Sequence, residues 1–139
     1  MARGDKARGA KLFAASGIGC AKCHAARGLA AVPGAPSLVG AGLRFTVPYL
    51  VESVLLPNRK ISPVFRSSVI VTKSGKTVTG LVVGETGEAL TVLTSEAKRV
   101  EIPRAEIEMR KTQNVSSMPP GLVKTPEELR DLIAYLLSQ

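Results

Sequence analysis

Apolar positions along the chain change period twice, from about 3.6 to 2 and back. Residues 5–16 place Ala7, Ala10, Leu12 and Phe13 at helical spacing, with Gly9 permitting close approach, and predict a first helix. Residues 46–56 predict a second, capped by Thr46 and ended by Pro57. The last helix is the most strongly marked. Thr125 caps it, Pro126 takes the first helical position and Glu128 completes a capping box. Leu129, Leu132, Ile133, Leu136 and Leu137 then form one apolar stripe, flanked by Tyr135. Between the second and last helices lie four runs rich in Val, Ile and Thr: Phe65 to Thr72, Thr77 to Val83, Ala89 to Thr94 and Arg99 to Ile102. Short polar or Gly-bearing turns separate them, so they predict an antiparallel meander of about four strands. The pattern therefore predicts a mainly α domain made of residues 1–62 and 111–139, interrupted by a β subdomain at 63–110, α+β overall.

Composition adds a problem for this scheme. The chain has 139 residues, 45% hydrophobic and 22% charged, which excludes a disordered, collagen-like or low-complexity polypeptide. Aromatics reach only 4% and Trp is absent, so Ala, Val and Leu alone would make a thin core, and something else is expected to fill it. The longest uncharged stretch, Gly28 to Leu43, is broken by two prolines and four glycines and falls short of a membrane span. The first residues, Met1 to Lys6, carry no apolar run of signal-peptide type. The expectation is a cytoplasmic chain, or one trimmed of a leader or an upstream domain.

Net charge is +8 and unevenly placed. Residues 1–62 hold nine Lys/Arg against Asp5 and Glu52, residues 63–110 hold seven against six acids, and residues 111–139 balance. Such a field favours an acidic partner and faster association. Nucleic-acid binding is not expected, because no recognition motif accompanies the charge.

Both cysteines and the only histidine fall in Cys20-Ala21-Lys22-Cys23-His24. A thioredoxin-like pair would need a preceding strand, whereas Gly9 to Ser16 looks helical. A zinc site would need four ligands, and only three Cys/His exist. A plain disulfide would leave His24 unexplained. Covalent haem attachment uses all three. Two thiols two residues apart on one turn can add to both haem vinyl groups, and the next histidine points at the iron. Haem also supplies the missing core.

With one histidine, two imidazole ligands cannot come from this chain, and methionine is the remaining soft donor. Met1 is terminal and Met109 sits in a charged segment. Met118 lies in Ser116-Ser117-Met118-Pro119-Pro120-Gly121, a loop because two prolines forbid helix, and is the expected distal ligand. A ligating histidine donates its other N–H to a carbonyl. The Pro36 carbonyl, in the turn-rich segment Val32 to Leu38, is expected to accept from His24. Lys22 and Arg27 are expected near the haem edge, steering a partner.

On these residues the chain resembles class I cytochromes c. The resemblance rests on Gly9-x-x-Leu12-Phe13, Cys20-x-x-Cys23-His24, Pro36-Ser37-Leu38, Met118-Pro119 and Leu132-Ile133-Ala134-Tyr135-Leu136. It extends to the haem-binding domain of planctomycetes and verrucomicrobia, which has a β insertion before the methionine loop. The matching stretches are Tyr49 to Pro57, Thr77 to Val83, Ile102 to Ile107 and Ser117 to Leu122. The resemblance implies a helical shell wrapped around one haem c, a periplasmic location, and frequent fusion to larger secreted proteins such as sugar-dehydrogenase-like propellers. It departs at Ser37, where the family often has an acidic residue. The expected function is single-electron transfer without enzymatic turnover. The alternative is a haem enzyme or a gas or peroxide sensor with a labile sixth ligand. The β insertion would act as a lid or a docking surface.

Overall fold

The computed structural model describes residues 3–30 and 34–139. Val32 and Pro33 of the turn-rich segment, and Met1, lie outside the described residues. Among the described residues, four helices and a five-stranded antiparallel sheet make the protein mixed α+β. The chain divides into two units, residues 1–59 with 120–139, and residues 60–119.

The first unit holds α1 (Lys6–Ala14), a 3-10 turn (Cys20–Lys22), the short α2 (Ala41–Arg44), α3 (Val47–Leu55) and α4 (Pro126–Leu137). Asp5 caps α1 by accepting from the Ala7 and Arg8 N–H groups. Thr125 and Glu128 form the capping box of α4, with Pro126 in the first turn. The apolar stripes of α1, α3 and α4 meet in a core of Phe13, Leu50, Val54, Leu132, Ile133, Tyr135 and Leu136. The Phe13 and Tyr135 rings are tilted at 54° with centroids 5.3 Å apart. Gly9 faces the α4 backbone so closely that a Cβ there would collide with the Asp131 carbonyl oxygen.

Asp131 fastens the same crossing. Only 4% exposed, it accepts from the Asp5 N–H (2.8 Å) and from Arg8 Nε (2.6 Å). The Arg8 hydrogen bond, then the Asp5 N–H, hold its carboxyl below the usual carboxylate range. It therefore stays ionised at neutral pH, as a buried carboxylate must when it anchors a guanidinium.

The second unit is the sheet, ordered β4-β3-β2-β1-β5. Its strands are β1 (Arg66–Thr72), β2 (Thr77–Glu85), β3 (Ala89–Leu93), β4 (Arg99–Pro103) and β5 (Ile107–Ser116). The first four are consecutive hairpins, and their alternation buries Ile70, Val78, Leu90, Val92 and Ile102 together. β2 changes partner midway, pairing with β1 up to Gly80 and with β3 from Leu81. Gly80 sits at that hand-over because a side chain would run into the Leu93 backbone.

The sheet differs from the four-strand expectation by β5, which pairs with β1. This strand runs through the boundary expected at residue 110. Its sequence hides it: Glu108 to Thr112 are all exposed, so no period-2 burial marks it. Ladder hydrogen bonds to β1 hold it in place, with Ile107 at its start packing against the sheet core.

Candidate functional site

The five-residue motif follows α1 after a five-residue turn segment, Ala15 to Gly19. Gly19 enters it with φ +74°, a left-handed conformation that glycine adopts without strain. The Cys20 carbonyl then accepts from the Cys23 N–H (3.2 Å) and the His24 N–H (2.9 Å). One tight turn thus holds both thiols and the imidazole. Cys20 and Ala21 pack against the helical core, which fixes the turn to its floor.

The Pro36 carbonyl comes to this turn. His24 Nδ1 lies 2.8 Å from its oxygen. A carbonyl can only accept, so Nδ1 carries the proton and Nε2 keeps a free lone pair. Burial holds the His24 pKa below its ordinary value, partly offset by this bond, so the ring is neutral at pH 7. A neutral, oriented imidazole is the form that binds a metal.

The carbonyl is itself held. The Leu38 N–H donates to the Ala25 oxygen (2.8 Å), returning the loop to the motif. Arg44 donates to the Ser37 and Val39 carbonyl oxygens (2.7 and 3.1 Å) and lies 4.9 Å over the Phe45 ring. In the sequence Arg44 registers only as a charge. Its role depends on carbonyls five and seven residues away, which no local pattern announces. Ser37, the departure from the family pattern, contributes its carbonyl to Arg44 and its hydroxyl to the Val39 N–H (3.3 Å).

The thiols are not built as redox nucleophiles. Burial pushes Cys20 up to about 11 and raises Cys23 as well. A reactive Cys-x-x-Cys pair needs the opposite shift. Nor do the described residues contain a group of three or more His, Cys, Asp or Glu able to hold a metal ion alone. Two thiols and an imidazole on one turn suit a group that brings its own equatorial ligands.

The same unit also leaves large apolar side chains uncovered. Leu43, on α2, is 92% exposed, and Val47, Leu55 and Leu56 are exposed too. An open groove of about 320 Å³ runs along Leu55, Leu56, Pro57 and Pro120, with Asn58 and Arg59 in its wall. Contiguous exposed apolar surface of this kind marks a place where another group is bound.

The other expected residues are spread over both units. Met118 belongs to the second, half-buried, with its N–H donating to Ser116 Oγ (3.1 Å). Met109 lies on β5 and is 46% exposed. Lys22 is exposed at the end of the 3-10 turn. Arg27 is engaged with Gln139, its N–H donating to Oε1 (2.8 Å) and its guanidinium to the backbone oxygen (3.3 Å). Among the described residues no helix is long and apolar enough to cross a membrane.

No curated protein matches the chain. A family model described as cytochrome c matches residues 6–139, from the first residue of α1 onward. Since that span takes in the Cys20-to-His24 turn, its carbonyl partner and the capped last helix, the chain belongs to the cytochrome c family.

Proposed function

We propose that this cytochrome c is a monohaem single-electron carrier. Haem c is bound through Cys20 and Cys23, with His24 as the proximal ligand and Met118 as the distal one. The observation that carries the reading is the His24 Nδ1 contact to the Pro36 carbonyl, on a turn that also carries both cysteines. The cofactor supplies a one-electron iron couple. The chain's own residues supply the rest. Pro36 fixes the imidazole's tautomer and raises its basicity. The Met118 thioether favours ferrous over ferric iron and raises the potential. Apolar side chains around the site keep charge separation costly and push the same way. Electron transfer of this kind needs no proton donor, and the chain has no second histidine to provide one.

The β insertion and the Met118-Pro119-Pro120-Gly121 segment support placement in the planctomycete and verrucomicrobial type. That placement entails export to the periplasm and would make an upstream dehydrogenase domain the electron donor. Residues 1–62 and 111–139 are assigned to haem binding, and residues 63–110 to the inserted subdomain.

The test is the optical spectrum of protein matured in cells that attach haem c, oxidised and reduced, with the denatured pyridine complex. We expect one covalent haem per chain. Cys20→Ser with Cys23→Ser should abolish acid-resistant attachment, leaving haem extractable into organic solvent. A matured chain that carries no haem would return the cysteines to thiol–disulfide chemistry.

The partner is proposed to dock an acidic surface against the basic first unit. Lys22 carries this role within the motif, since Arg27 is already engaged by Gln139. Electron exchange with an acidic carrier should slow as salt rises, and less so in Lys22→Gln. A rate independent of ionic strength would rule out steering.

A further inference from the structure

β5 does not run straight into the methionine loop. Met109, Arg110, Lys111 and Thr112 pair in register with Val71, Ile70, Val69 and Ser68. The next pair is Arg66 with Ser116, so Ser67 alone faces Gln113, Asn114 and Val115. β5 therefore carries two extra residues at this point. Bulges of this kind re-aim the chain beyond them, and the segment re-aimed here is Ser116-Ser117-Met118.

Ser67 stands opposite the bulge and is only 2% exposed. A hydroxyl so deeply buried needs a partner. Its Oγ lies 3.2 Å from Ser117 Oγ, on the residue immediately before Met118. The Met118 N–H in turn donates to Ser116 Oγ (3.1 Å). On the other side Pro119 restricts Met118 to extended backbone. The Met118 backbone is thus constrained from both directions, and the Ser67–Ser117 link ties the segment to the sheet interior through side chains.

We propose that Ser67, acting through Ser117, is a positioning residue for Met118. The buried serine of β1 holds the bulged end of β5 so that the thioether is presented in its binding conformation. This rests on the reading of Met118 as distal ligand. A thioether is a weak, neutral donor, so its occupancy depends on how far the loop is ordered beforehand. Deleting either hydroxyl breaks the link, and deleting that of Ser117 also leaves the buried Ser67 hydroxyl unsatisfied, so about a tenfold shift towards the ligand-off state is expected.

The experiment uses the full haem-loaded chain and carbon monoxide as probe, since it binds ferrous iron only where the sixth position is free. Wild type and Met118→Ala are compared first. If they share one carbon monoxide affinity and one long-wavelength sulfur-to-iron band, the distal-ligand reading fails and the positioning role falls with it. If Met118→Ala binds more tightly, the serines are tested. Ser67→Ala and Ser117→Ala should each raise apparent affinity about tenfold, by enlarging the binding-competent fraction. The double variant should add nothing, since both remove the same link. Ser117→Thr should restore the wild-type value. Ser68→Ala, an equally buried serine on the same strand, should lower thermal stability without moving the affinity. Unchanged affinity in both single variants would overturn the proposal. So would an equal rise in Ser68→Ala, which would mark general damage to the sheet. Should Ser67→Ala fail to fold, Ser117→Ala reads the same link from its half-buried end.

Discussion

Replacing Met118 with alanine should abolish the sulfur-to-iron absorption of the oxidised protein, open the sixth position and lower the midpoint potential. Axial ligands govern a range of about 0.8 V in haem proteins, and a fall on the order of 100 mV is expected here. The effect is large because the chain offers little to compensate. His24 is its only histidine, and Met109 sits exposed on β5 with Arg110 and Lys111 beside it. The attachment proposed through Cys20 and Cys23 does not involve Met118, so haem content should not change. Potentiometric titration and carbon monoxide difference spectra read the result. A variant that keeps the wild-type potential and stays inert to carbon monoxide would remove Met118 from the iron. Wild-type protein that already binds carbon monoxide freely would favour the sensor or enzyme reading instead.

Gly9→Ala should cost more stability than any exposed substitution in the chain. In a solvent-facing helix the change would stabilise, because alanine is the better helix former by about 1 kcal/mol. Here the sign reverses. The new Cβ would collide with the Asp131 carbonyl oxygen, sit 2.7 Å from that carbonyl carbon and 2.8 Å from the Tyr135 Cβ. Two of those obstacles are helix backbone, which cannot rotate aside. Separating α1 from α4 would also loosen the Arg8–Asp131 pair and the contact of Phe13 with Tyr135. A loss of about 3 kcal/mol is expected, at the upper end for overpacking. That corresponds to a fall of roughly 10 °C in melting temperature. Thermal melts monitored by far-ultraviolet circular dichroism would show it. A melting temperature at or above wild type would mean the two helices are not in contact at this glycine.

Legibility in the sequence tracks the reach of each signal. The cap, proline and glutamate that open α4 lie within four residues of one another, so a linear reading finds them. The same holds for the first four strands, where burial alternates and the turns are short. β5 escapes because its neighbours in space lie some forty residues back on β1, and its exposed side chains carry no trace of the pairing. α2 escapes because four residues give no period to detect. At the site, the spacing of the motif is visible, and the need of a histidine for a carbonyl partner points into the Pro36 loop. The clamp of Arg44 on that loop, and the serine link behind Met118, are made by residues whose local sequence is ordinary. Their significance comes from the backbone groups that folding brings beside them.

The pairing of Arg66 with Ser116 has a further consequence for how the helical unit can close. α1 must find α4 across more than a hundred residues of chain, which as free polymer is a long loop. Once β1 and β5 pair, the sheet's entry and exit stand on adjacent strands, and some fifty residues cease to count towards that loop. The entropic saving is modest, about 0.6 kcal/mol for each halving of loop length. The kinetic gain is in order of events, since the hairpins form from local contacts while the α1–α4 docking is the most distant in sequence. A pre-folded sheet therefore behaves as a short tether, so the sheet unit need not slow the search that joins the two ends of the chain.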